Sequence, residues 1–160
     1  MHMTTLKLIT AFASLFSFGV AVAGPSDPVS LGMQLAQIDY EAVHVVLVER
    51  CKLNSPSTVP ALVAAIENWK SKNDPALQQL RFLSKNNLVK KLGLSELDAS
   101  AQLARTSEFL TAGLKGQFEH VPDSELKAAC SGQYAAQTLG SPELDFNALL
   151  VKIQAANGSP

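Results

Sequence analysis

The chain is poor in the residues that announce chemistry. Among its 160 residues are two cysteines, one tryptophan, two tyrosines and three histidines. No C-x-x-C, H-x-x-x-H or H-E-x-x-H spacing occurs, so no metal site is written locally. Without C-x-x-C-H, covalent c-type haem is excluded. G-x-S-x-G, the phosphate loop and the dinucleotide fingerprint are missing as well. Charge of one sign is also lacking: 13 Lys and Arg stand against 14 Asp and Glu. A dedicated nucleic-acid binder would show a basic excess. Nowhere does an uninterrupted apolar run approach the ~20 residues that a membrane-spanning helix needs. With 47% hydrophobic residues, however, the chain is too apolar to stay disordered.

What is present begins with an export pattern. Lys7 supplies a short positive region, an apolar core runs from Leu8 to Phe18, and Ala21-Val22-Ala23 has the small-x-small form that signal peptidases accept. Cleavage is expected after Ala23, leaving a single helical domain over 24–160 with flexible ends at 24–29 and 156–160. No cysteine follows the cut, so no lipid anchor is expected. The predicted location is periplasmic or secreted, with no membrane-integral part.

Helix signals dominate the remainder. A first helix is predicted from Ser30 to Lys52, with Gln34, Gln37, Glu41 and His44 on one narrow polar sliver of an otherwise apolar wheel. Such a helix belongs at the centre of a fold. The β-branched run over 42–48 would also suit a buried strand, but the helical spacing upstream favours a helix. Pro60 suits the first turn of a second helix striped by Leu62, Ile66 and Trp69. Asp74-Pro75 reads as a cap and first turn, opening a third helix that stops at Gly93 and carries Leu77, Leu80, Leu88 and Leu92.

Ser95 and Asp98 resemble a capping box for a fourth helix to about Glu119, striped by Leu103, Leu110, Leu114 and Phe118. A fifth is predicted from Pro122-Asp123 to Thr138. The last carries Phe146, Leu149, Leu150 and Ile153. The expectation is an all-α fold, a compact bundle of five or six helices with one disulfide.

In an oxidising compartment two cysteines are most simply one bridge. Tyr40, Val43, Leu47 and Cys51 share one side of the first helix, and Leu126, Cys130 and Tyr134 recur every four residues in the fifth. A Cys51–Cys130 staple is therefore expected. The rival reading, a catalytic thiol, needs a base. His44 lies two helical turns from Cys51, roughly 10 Å, and only the fold could bring His120 close. Glu41 and His44 are read as a local surface pair.

Trp69 is either a core anchor or a partly exposed hot spot, since tryptophan is enriched where interfaces concentrate their energy. Lys70, Lys72, Arg81, Lys85, Lys90 and Lys91 face only Asp74 between 70 and 91, a net of +5. Between 119 and 145 the net is −4. Such asymmetry can steer an acidic partner to one end of a protein. A binding face at Trp69, Lys70, Lys72, Arg81 and Lys85 follows as the expectation.

The export pattern, Cys51, then Trp69 and Asn73, and a late Cys130 resemble the small, all-helical, disulfide-stapled periplasmic proteins of proteobacteria. Some proteins of that type are immunity proteins that neutralise cell-wall-degrading toxins delivered by type VI secretion. Export, small size, the absence of catalytic motifs and the charge asymmetry together point to a non-catalytic protein that engages another protein, without cofactor, metal or nucleic acid. The alternatives are a periplasmic carrier of a small molecule or lipid, or a small hydrolase whose carboxylates no motif marks.

Overall fold

The computed structural model of the protein describes residues 27–156. The export segment and the predicted cleavage site lie outside the described residues. Six α-helices follow one another: α1 (Pro28–Leu35), α2 (Tyr40–Asn54), α3 (Val59–Leu92), α4 (Glu96–His120), α5 (Asp123–Cys130) and α6 (Phe146–Ala156). A π-helical turn (Tyr134–Leu139) and two short 3-10 turns complete the elements among the described residues, where no strand occurs. The fold is all-α, with one disulfide joining Cys51 to Cys130.

The predicted first helix is in fact two. The chain breaks at 36–39, where Asp39 caps α2 by accepting the Ala42 N–H at 3.1 Å. Backbone groups released at the break find distant partners. Arg81 donates to the carbonyls of Ala36 and Ile38, both at 2.8 Å, and the Asp39 N–H donates to Thr111 Oγ1 at 2.9 Å. Gln37 reaches Ser84 Oγ at 3.0 Å. A break sustained by α3 and α4 leaves no local signature. Pro28 and Val29, expected in a flexible lead-in, form the first turn of α1, where a proline is welcome.

The second and third predicted helices are instead one, α3, of 34 residues and roughly 50 Å. Pro75 sits inside it, at a position where the missing N–H and the ring usually break a helix. Burial carries α3 through: Ile66, Trp69, Asn73, Ala76, Leu77 and Leu80 are all buried on both sides of the proline. Two amides also bond to the helix carbonyls nearby, Asn73 to Trp69 and Asn147 to Lys72. Gly93, at φ +67°, ends the helix as its sequence position predicts.

Ser95 caps α4 by accepting the Asp98 N–H at 3.1 Å. The fifth helix stops early, at Cys130, because Gly132 takes φ +86°, and the chain re-forms as the π turn that carries Tyr134.

The geometry that matters is the seating of α2. It runs parallel to α4: Asp39 meets Thr111 at one end, and Arg50 donates to the carbonyls of Phe118, Glu119 and Val121 at the other. It runs antiparallel to α3, with Ile38 near Arg81 and Glu41 near Lys70. So α2 lies in the trough between α3 and α4. The disulfide then ties its far end to α5, and both sulfur-bearing residues are fully buried.

Candidate functional site

The thiols are spent in the disulfide, so Cys51 is not a nucleophile. His44 is not on a polar sliver either. It is 4% exposed, in a cluster of rings formed with Tyr40, Trp69 and Tyr134, and its Nε2 lies 3.0 Å from the Tyr134 hydroxyl. Burial, with the nearby Lys70 charge, lowers its pKa to about 4, so the ring is neutral. The predicted Glu41–His44 surface pair is thereby replaced: Glu41 is exposed and pairs with Lys70 at 3.7 Å. Burial pushes the hydroxyls of Tyr40 and Tyr134 up, which keeps both protonated as donors. Tyr40 donates to the Leu35 carbonyl at 3.1 Å. Among the described residues, His44 Nδ1 has no hydrogen-bond partner. This cluster is closed off from solvent, and it serves packing.

The five residues predicted as one binding face have different fates. Trp69 is buried, with its indole N–H donating to the Leu144 carbonyl at 3.1 Å; it is a core anchor. Lys70 is half-buried against Glu41. Lys72 bonds Asp145 at 3.2 Å, which joins the basic segment to the acidic one. Asp145 is held below the usual carboxylate range, first by the Ala148 N–H and then by Lys72. Arg81 clamps the α1–α2 break. Lys85 pairs with the exposed Glu96 at 3.1 Å. Lys70 lies eleven residues before Arg81, roughly 16 Å along α3, so these cations do not make one patch.

Arg81 and Lys85 do come together, on the wall of an open groove of about 550 Å³. Its other walls are Phe82 on α3 and Ser100, Leu103, Ala104 and Ser107 on α4, and Gln37 and Asp39 close its base. Phe82 is 63% exposed. Among the described residues Arg81 makes no ion pair; its bonds to Ala36 and Ile38 are to carbonyls. At the tip of the α3–α4 hairpin, Lys90 and Lys91 have no ion pair among the described residues. Their ammonium groups oppose the negative end of the α3 dipole.

Sequence reasoning missed Phe82, Ser100, Ala104 and Ser107. Phe82 lies off the leucine stripe predicted for α3, and the small residues of α4 carry no conspicuous chemistry. Their signal was the alternation of three- and four-residue steps from Ser100 through Ala104 and Ser107 to Thr111, which places them on one helix face. The stripe itself was overdrawn at one end, for Leu92 is 64% exposed.

Among the described residues, no group of three His, Cys, Asp or Glu is placed to hold a metal ion, and no helix is long and apolar enough to cross a membrane. A disulfide without such a helix is compatible with a periplasmic or extracellular protein. Compared with known proteins, the chain matches no family model, no curated protein and no solved structure.

Proposed function

We propose that this is an exported, non-catalytic binding protein that engages another protein, with an inhibitor or immunity protein as its concrete form. The observation that carries the reading is the groove between α3 and α4, where a cationic wall at Arg81 and Lys85 meets an exposed phenyl ring. Phe82 and Leu103 together, bordered by two cations, give the groove a mixed apolar and charged lining that suits a docking face. The export pattern of the first 23 residues and the buried disulfide support an oxidising compartment, and the rigid body it staples suits a presenting scaffold.

The test uses the mature protein as bait in periplasmic extract of the source cell. A partner captured by the wild type is expected to be lost with Phe82→Ser/Lys85→Glu, and to dissociate as salt rises. For the inhibitor reading, the partner's own activity should fall on binding. Equal capture by the double variant places the binding face elsewhere. The groove's volume also falls within the range of small-molecule sites, which supports a carrier as the second reading. A bound ligand mass in native mass spectrometry would favour it.

A further inference from the structure

The groove is the continuation of the trough that holds α2. On α4, one stripe runs Ser100, Ala104, Ser107, Thr111, Leu114, Phe118 at steps of three and four. Its second half, Thr111, Leu114 and Phe118, is buried where α2 packs. Its first half lines the open groove. The other wall behaves alike, since α3 presents Lys70 beside α2 and presents Arg81 and Lys85 further along. At Asp39 the chain turns aside into α1, and the trough runs on with no occupant among the described residues. From Ser100 to Ser107 the open part measures roughly 10 Å, two helical turns.

Resting on the binding-protein reading above, we infer that the occupant of this groove is an amphipathic α-helix of the partner protein, acidic along one flank, seated end to end with α2. Further along the same trough, α3 and α4 already accept a helix between them. Small side chains at 100, 104 and 107 let a second backbone approach closely, while Phe82 and Leu103 cover its apolar face.

The charge argument has an internal template. In the filled half, a carboxylate of the seated helix, Glu41, meets a lysine of α3, Lys70. In the open half the α3 wall offers Arg81 and Lys85, and 81–92 contains no acid. Among the described residues Lys85 is held by Glu96 alone, whose side chain is 81% exposed, and such a surface pair exchanges partners at little cost. Asp39 at the closed end is itself a carboxylate, so the segment's acids belong along the α3 wall and not at its tip.

The experiment places p-benzoylphenylalanine at position 82, where it replaces the exposed groove ring of Phe82, and, as a control, at position 45, where Val45 is exposed on the outer side of α2. Photocrosslinking in periplasmic extract is expected to give a protein adduct from 82 and none from 45. Its mapped site should fall in a segment with apolar residues at helical spacing and carboxylates on one flank. A peptide of that segment should bind the wild type and lose about tenfold or more in affinity towards Lys85→Glu and Ala104→Trp, both with an unchanged melting temperature. A partner captured without an adduct at 82, or by a basic or non-helical segment, overturns the helix inference and leaves the binding-protein reading standing. So does an adduct between two copies of this chain. If the wild type captures no protein at all, or only a lipid or small molecule, both fail.

Discussion

Two halves of the same helices differ sharply in what holds them. Between Leu62 and Leu80, α3 buries seven side chains, and from Thr111 onwards α4 buries three; α2 lies between them. Between 81 and 110, Ala99 alone is buried. There, Phe82, Leu92, Leu97 and Phe109 are 63 to 79% exposed. A helix is stabilised mainly by the packing of its apolar face, and little by its intrinsic preference. The stapled half is therefore a core, and the other half is an arm whose two helices have chiefly each other. Stability is concentrated in one half of the α3–α4 hairpin, and the proposed recognition face lies in the other.

The comparison can be broken most forcefully at the disulfide. Replacing both Cys51 and Cys130 with Ala frees a loop of 79 residues, and on chain-entropy grounds should cost about 4 kcal/mol in urea unfolding. A loss under 1 kcal/mol would mean that packing alone holds the stapled half.

Next comes pH. His44 is neutral when folded, with its pKa lowered to about 4 against an ordinary value of 6.5. Between those values the unfolded chain binds a proton that the folded one refuses. The stability His44 confers is therefore complete above pH 6.5 and drains as pH falls towards 4, by about 3 kcal/mol in all. In His44→Phe this part of the pH dependence should vanish from the melting curves.

Arg81 stands where the two halves meet. Arg81→Gln removes two charge-assisted bonds to the 36–38 break and should cost about 2 kcal/mol. That loss would show the arginine acting as a clamp as well as a groove wall, which is why the groove tests above leave it in place. The smallest effect belongs to the arm: Leu97→Gln should change stability by less than about 0.5 kcal/mol. A loss of 2 kcal/mol there would erase the distinction between arm and core.

Much of the fold was legible in the sequence because it is local. The Ser95 cap, the Gly93 stop and the shared face of Val43, Leu47 and Cys51 each depend on residues a few positions apart. The bridge followed from that face and from the count of two cysteines. The break at 36–39 and the unbroken passage through Pro75 could not be read, since both rest on partners more than forty residues away, Arg81 and Thr111 for one and the bundle core for the other. His44 was misplaced for a related reason: its polar neighbours on the wheel, Gln34 and Glu41, are exposed, but Tyr134, ninety residues on, receives its ring. The candidate site was half legible. Charge pointed to Arg81 and Lys85, while Phe82 and the small residues of α4 gain meaning only beside the seat of α2.

The burial of both sulfurs has a kinetic consequence. A reductant attacks a disulfide only where a thiolate can reach it, and neither Cys51 nor Cys130 has any exposed surface. In a reducing medium the bond should outlast the reductant's ordinary reaction time, because cleavage must wait for the body to open. Once opened and reduced, the chain loses the link that limits its unfolded freedom and does not readily return. The staple thus acts as a one-way timer, set by the rate at which the core between α2 and α5 breathes.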